Sequence, residues 1–383
     1  MKHYWSRKLK RRLGWLIKTN PVTKRLLQKH LRRKNAGNYG SVLDLIETAD
    51  KVEVGECSLR MGIVKDEDDL ALIFYPYWPM FERFARNNGI KYSFFNIHGN
   101  NWIEESKNFD LIVWRPFSDP SSLYEERTKI AYLERYLKIR CHPSCDELWI
   151  YEDKIRQHFL LSGYNLPVIP TFVSFDETEC LNKLDSLEFP VVSKSYVGSS
   201  SYGVTILKSK KKAQNHISRA FSKGLDTGFP YFRQKGYVYF QKFIRDASYD
   251  LRIILIGSKI FGYYRMTPSN DFRASGAGLV VKEELPLEAV KLAMKVREVM
   301  PGTMLAVDFL KSESENKFYI NETSINIDIE TPDQLMVNNS PGYYLLKDDK
   351  LEFHHGKFWL QELILAEIIS GRKEISESGR HMS

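Results

Sequence analysis

Between Val42 and Pro116 short apolar runs alternate with helical stretches, and this alternation constrains the fold of the chain more than any other feature. The runs are LALIFY (70–75), IKYSFFNI (90–97) and DLIVWRP (110–116), with a helical stretch at Met80–Asn87. Strands separated by helices pair in parallel, because a parallel neighbour is reached only through a crossover. Glu125–Ile139 reads as a further helix, with Ile130, Leu133 and Leu137 at helical spacing, and Asp146–Leu161 as another. From Pro190 onward the pattern changes. PVVSKSYVGSSSYGVTIL (190–207) holds two strand-like runs about a Gly/Ser loop, and a polar linking region follows. Then come YVYFQKFI (237–244), YDLRIILIG (249–257), KIFGYYRM (259–266), an amphipathic helix at Pro286–Met300, MLAVDFL (304–310), KFYINET (317–323) and a closing helix at Phe358–Ile369.

A chain of 383 residues is long enough for two or three domains. No apolar run approaches the roughly 20 residues that span a bilayer, so no integral membrane helix is expected. Charge is concentrated at one end. Residues 1–40 hold thirteen Lys or Arg and no acid, which leaves the rest of the chain at −5. Within this segment Trp5, Leu9, Leu13, Leu16 and Ile17 would share one helical face, and Val22, Leu26, Leu27 and Leu31 another. Cationic amphipathic helices lie on anionic membrane surfaces or bind acidic polymers, and that is the partner role expected of residues 1–35. Docking on the protein's own body with a solvated basic face, and a disordered tail, are the alternatives. No nucleic-acid motif accompanies the charge, so sequence-specific nucleic acid is not expected. Cys57, Cys141, Cys145 and Cys180 show neither disulfide-scaffold nor zinc spacing. With no long apolar stretch for a secretory signal, the expected location is cytoplasmic, with peripheral attachment at the inner face of the membrane through the basic segment.

The chemistry-bearing residues lie in the second half. Lys194 ends an apolar strand before Val197-Gly198-Ser199-Ser200-Ser201-Tyr202-Gly203, a loop with little side-chain bulk that can bring N–H groups and hydroxyls close to phosphate. A ligand-free Gly/Ser hairpin would look the same. Asp308 sits within LAVDFL and Glu322 ends the next strand, so a hairpin would present two carboxylates side by side, suited to a hard cation. A surface carboxylate at a strand end is the bland reading of Glu322. No GxxxxGK[ST] and no helix-opening GxGxxG occurs, so a nucleotide would be held by another fold.

From Tyr151 to Asn326 the chain resembles the ATP-grasp ligases, and within them the RimK-type ligases that join an amino acid to a carboxylate. The matching pieces are Glu152-Asp153-Lys154, Pro167 and Pro170-Thr171, PVVSKSYVGSSSYGV, QKFIRDASYDLRIILIG, Arg265, Asp271-Phe272-Arg273, the Gly276/Gly278 turn, VDF and NET. The resemblance implies an ATP-dependent carboxylate–amine ligase working through an acyl phosphate, with ATP and Mg2+, or Mn2+ in its place. It implies that Lys154 and Lys194 contact nucleotide phosphates under a mobile loop of Gly198, Ser199, Ser200, Ser201 and Gly203. It places the adenine edge at Gln241-Lys242-Phe243-Ile244 and a nucleotide contact, the ribose, at Asp250. Arg273, with Arg252 and Arg265, falls on the phosphate and substrate side, and Asp308 and Glu322 are metal ligands. Ser324 stands where the family's Glu-x-Asn pair has asparagine, so Asn326 or Asn321 is expected to supply the missing amide oxygen. FRASGAG has Ser275 where the family often has asparagine. Arg115, at the end of IVWRP, is a further candidate cation on the substrate side, with a structural ion pair as its alternative.

The implied architecture is α/β and α+β. A basic helical segment (1–40) precedes a Rossmann-like pre-grasp α/β domain (41–148) and two α+β ATP-grasp subdomains. The first (149–245) carries the lysines and the Gly/Ser loop, and the second (246–375) the metal ligands. Two alternatives to the ligase stand beside it: a kinase-like phosphotransferase of the same fold, and a nucleotide-binding adaptor that has lost catalysis.

Overall fold

The computed structural model describes residues 45–65, 76–198, 203–227, 229, 231–266, 280–329 and 331–378, with side chains as far as 371. The basic segment 1–40, the LALIFY run, Ser199 to Ser201, and Arg273 with Ser275 and the Gly276/Gly278 turn lie outside these residues.

The first sheet is parallel throughout, as the alternating pattern requires. Its strands β1 (Arg60–Val64), β2 (Lys91–Phe95), β3 (Leu111–Val113) and β4 (Arg140–His142) run in the order β2-β1-β3-β4. Helix α1 (Trp78–Asn87) covers it with Met80, Phe81, Phe84 and Ala85 buried. Strands β1 and β4 are too short and too polar at their ends to stand out in the sequence. Helix α2 (Pro120–Tyr132) begins five residues before the expected Glu125. Asp119 caps it by accepting from the Ser121 and Ser122 amides, and Pro120 fits the first turn, where no amide is needed.

The single helix expected over Asp146–Leu161 is two, α3 (Cys145–Ile150) and α4 (Lys154–Gly163). Ser144 and Glu147 close a capping box on α3, and Glu152 takes a left-handed backbone at φ 53°. Asp153 then starts the next helix by accepting from the Arg156 amide. Local capping chemistry overrides the continuous apolar periodicity, and the break puts Lys154 at the head of α4.

Strands β5 (Thr171–Ser174), β6 (Val191–Lys194) and β7 (Val204–Leu207) join β8 (Val238–Lys242) in an antiparallel sheet ordered β5-β8-β6-β7. The region expected to be a polar link contains helix α5 (Lys210–Phe221), whose narrow stripe of Ala213, Ile217 and Ala220 is buried while its lysine face is wet. Strands β9 (Tyr249–Ile256), β10 (Lys259–Met266), β11 (Met304–Ser312), β12 (Lys317–Ser324), β13 (Ser340–Lys347) and β14 (Lys350–His355) build an antiparallel sheet in the order β12-β11-β9-β10-β13, with β14 beside β13. Helices α6 (Leu287–Val299) and α7 (Leu360–Ser378) pack on it.

The apolar interior is divided in a way that matters for the site. One continuous core joins the first sheet to the large antiparallel sheet, from Met61 and Phe84 to Leu251, Phe309 and Trp359. The sheet carrying Lys194 has a core of its own, built from Cys180, Leu184, Val191, Leu207, Ile217, Val238 and Phe240. The described residues thus form two separately cored bodies. All four cysteines are free thiols.

Candidate active site

Lys194 ends β6 and Lys154 opens α4, yet both ammonium groups reach the end of β12. Lys154 Nζ lies 2.8 Å from Glu322 Oε1 and donates to the Gly198 carbonyl at 2.7 Å. Lys194 Nζ donates to Asn321 Oδ1 at 2.9 Å. Adjacent residues of a strand normally point to opposite faces, so one strand serving two converging lysines needs a local irregularity. It has one: Asp308 pairs with Glu322, but Phe309 pairs with Ile320, leaving Asn321 as the extra residue of a bulge. The bulge turns Asn321 and Glu322 toward the same pair of cations.

The two lysines are electrostatically unlike. Burial disfavours charge on both. At Lys154 the carboxylates of Glu322 and Glu152 outweigh it and hold the ammonium above the ordinary lysine range. At Lys194 burial prevails, reinforced by the charge of Lys154, and the pKa falls to about 8.

The two ends of the Gly/Ser loop are fixed. Gly198 donates its amide to Glu152 Oε2 at 3.3 Å, and Gly203 gives its carbonyl to the Ser195 amide at 3.0 Å. Gly203 has φ +75°, and a Cβ there would stand 2.8 Å from the Ser195 Cβ, so only glycine fits.

Beyond Glu322 the large sheet presents a cluster of two carboxylates and two guanidiniums. Arg252 grips Asp308 with Nε on Oδ1 at 2.7 Å and Nη2 on Oδ2 at 2.8 Å. Arg265 Nη2 bridges Asp308 Oδ2 at 2.7 Å and Asp250 Oδ2 at 2.6 Å. Burial alone would raise the pKa of Asp308, but Arg252 and Arg265 reverse it and hold the group far below the carboxylate range. Asp250, buried and served by only one guanidinium nitrogen, stays above it. Asp250 Oδ1 is buried with no partner. The residue expected at the ribose is thus committed to Arg265.

The oxygen donors expected to hold a divalent cation are of the right chemistry, though both carboxylates are engaged by the protein's own cations. Asp308 and Glu322 supply carboxylates, and Asn326 Oδ1 is buried without a hydrogen-bond partner, a donor oxygen left open. The Ser324 hydroxyl is turned away into the backbone of Asn326, donating to its carbonyl at 2.5 Å and accepting its amide at 3.2 Å. Of the two expected substitutes, Asn326 keeps a free oxygen, while Asn321 is engaged by Lys194. Among the described residues no group of three or more His, Cys, Asp or Glu is arranged to hold a metal unaided.

At the hinge, Gln241 is buried and donates to Thr171 Oγ1 at 3.2 Å. The Lys242 amide is taken by the Pro170 carbonyl at 2.8 Å and its ammonium by Glu315 at 2.8 Å, so Lys242 can offer a base only its carbonyl. Ile244 packs with Ile169 and Tyr319 in a small apolar cluster, and Phe243 is half-buried. Ser199, Ser200, Ser201 and Arg273 fall outside the described residues.

Three contributors escaped the sequence reading. Gln157, one turn beyond Lys154, accepts from the Thr323 amide at 3.1 Å and so ties α4 to the end of β12. Tyr151 receives the Asn326 side-chain amide at 3.3 Å. Asp328 meets Arg115 Nη2 at 3.0 Å, bringing the first sheet to the edge of the site. A buried glutamine on a helix face was the only signal available in advance.

Lys154 and Lys194 thus converge on Glu322 and Asn321 within the half of the chain that resembles the RimK-type ATP-grasp ligases. Residues 151–338 match the family described as RimK-like ATP-grasp domain. Over 194 residues the chain is 27% identical to an alpha-aminoadipate–LysW ligase, LysX, of Saccharolobus solfataricus, covering 49% of this chain and 66% of that protein. It is 25% identical over 217 residues to a glutamate–LysW ligase, ArgX, of Sulfolobus acidocaldarius, covering 56% of this chain and 72% of that one. A RimK domain ATP-grasp protein from Sphaerobacter thermophilus superposes with a TM-score of 0.48 at 15% identity, over 70% of this chain and 92% of its own.

Proposed function

We propose that the protein is an ATP-dependent ligase that joins a carboxylate to an amine through an acyl phosphate. The observation that carries this reading is the meeting of Lys154 and Lys194 with Glu322 and Asn321 at a bulge between two separately cored bodies. Lys194 comes from the separately cored sheet, Lys154 from the larger body that also carries Glu322 and Asn321, and two ammonium groups beside hard oxygen donors suit a triphosphate with its metal.

Lys154 and Lys194 bind the phosphates, and the loop from Gly198 to Gly203 closes over them. The carbonyl of Lys242 and the apolar face around Phe243 and Ile244 receive the base. Asp308, Glu322 and Asn326 would hold a Mg2+ ion, which when bound would supply positive charge to neutralise the phosphates. Arg252 and Arg265 sit where a transferring phosphoryl group would be stabilised, and Arg273 is assigned to the same side. With no enzyme nucleophile required, orientation and fixed charge provide the acceleration. In this division residues 149–245 and 246–375 are the two halves of the clamp, and 41–148 closes the substrate end through Arg115.

The relatives are named for joining aminoadipate or glutamate to LysW. For this chain we assign an amino acid to the substrate pair, with Arg115 and Asp328 at its end of the site. Residues 1–35, with their uncompensated positive charge, are assigned to an anionic surface, either membrane or acidic polymer.

The test is to supply ATP, Mg2+ and a panel of amino acids with candidate carboxylates, following ADP and phosphate. ADP and phosphate appearing together only when amine and carboxylate are both present is the expected result. Phosphate transferred to a hydroxyl and retained there would make the protein a kinase instead.

A further inference from the structure

Asp308 is largely engaged by the protein's own cations as it stands, with one lone pair, on Oδ1, left for a metal. The Arg252 fork occupies one lone pair on each oxygen, and Arg265 takes another on Oδ2. The cluster is assembled by three neighbouring strands, with Arg252 opposite Asp308 across β9 and β11 and Asp250 opposite Arg265 across β9 and β10. Its side chains are between 5% and 15% exposed, so none can simply turn into water.

The two arginines are not equivalent. Arg265 shares a single nitrogen between Asp250 and Asp308, so it keeps one carboxylate when the other leaves. Arg252 has both of its short charged contacts on Asp308, and beyond them, among the described residues, a hydrogen bond to the Tyr263 hydroxyl at 3.4 Å. If Asp308 turns to another cation, Arg252 loses its hydrogen-bonded carboxylate and keeps only the more distant charges of Asp250 and Asp328 among the described residues, which is unfavourable unless an anion arrives at the same time.

We infer that Arg252 is a place-holder for the divalent cation on Asp308, and that metal and nucleotide binding are coupled because a phosphate must receive Arg252 when the metal displaces it. Asp250 keeps Arg265 in position through the exchange. This rests on the nucleotide–metal reading of the site and adds an order to it: the metal site is largely filled by the protein's own cation until an anion enters.

The test uses Mn2+ on the full chain without nucleotide, reading free Mn2+ by paramagnetic resonance. Arg252→Met should bind Mn2+ about tenfold or more tightly than the parent, because Asp308 is released. Arg252→Lys keeps the buried charge and lacks the fork, so it should give a smaller gain, and it serves if the methionine variant does not fold. Arg265→Met should change Mn2+ affinity by less than about threefold, since the fork persists. Equal Mn2+ affinity in the parent and both Arg252 variants overturns the inference, as does a gain in Arg265→Met equal to that in Arg252→Met. A separate titration of the parent with a non-hydrolysable ATP analogue and Mn2+ together keeps the readings apart. Heat there with no Arg252 effect on Mn2+ alone refutes the place-holder only, and no heat refutes the nucleotide site.

Discussion

Lys194 carries the clearest pH signature in the molecule. Its pKa is lowered from the ordinary lysine value to about 8 by burial and by Lys154, so it is charged below that pH and neutral above it. A bound triphosphate would favour the charged form and draw a proton onto it. Nucleotide affinity should therefore fall as pH rises through about 8, and binding at pH 9 should take up a proton. Calorimetry at that pH in buffers of different ionisation enthalpy measures the uptake. Lys194→Arg keeps its charge at every accessible pH and should abolish it. Lys154, raised by its carboxylate neighbours, should contribute no pH dependence in this range. Lys154→Met should lower turnover by about 100-fold or more, with the fold intact by circular dichroism, because a preorganised charge is lost where phosphate charge develops.

At the scale of elements, the break between α3 and α4 decides where Lys154 points. Asp153→Ala removes the cap of α4 and should cost about 1 kcal/mol of stability in denaturant titrations. It should also weaken nucleotide binding more than a comparable cap loss at Ser209, which starts α5 away from the site. This break is not legible in the sequence, where a single helix is expected over Asp146–Leu161, since the apolar residues on either side keep helical spacing. Asp308 and Glu322 were readable because apolar neighbours set both on strands. Their actual juxtaposition with the lysines depends on the bulge at Asn321, and no local pattern announces an extra residue in a ladder. Helix α5 was missed because a stripe of two alanines and one isoleucine is too thin to register among lysines. The engagement of Asp308 by two arginines was equally hidden, because cross-strand partners are fixed by register, which the sequence does not display.

In the whole molecule, the first sheet and the large antiparallel sheet share one core, and the lysine-bearing sheet has another. Arg83 of α1 and Glu362 of α7, 2.6 Å apart and almost wholly buried, lock the shared body together. Arg83→Met would strand Glu362, so it should lower global stability by about 3–5 kcal/mol in denaturant titrations. The basic segment makes a prediction of its own from charge. Binding to anionic vesicles should weaken as salt rises and vanish when residues 1–35 are deleted. Equal binding by the truncated protein would remove that role. The meeting of Lys154 and Lys194 with Glu322 and Asn321 is what everything else depends on, and its role can be tested directly by titrating ATP with Mg2+ into the parent protein and into a Lys154→Met, Lys194→Met double variant. One equivalent bound by the parent and none by the variant is the expected result. No heat from the parent, or the same affinity in both, would contradict the account.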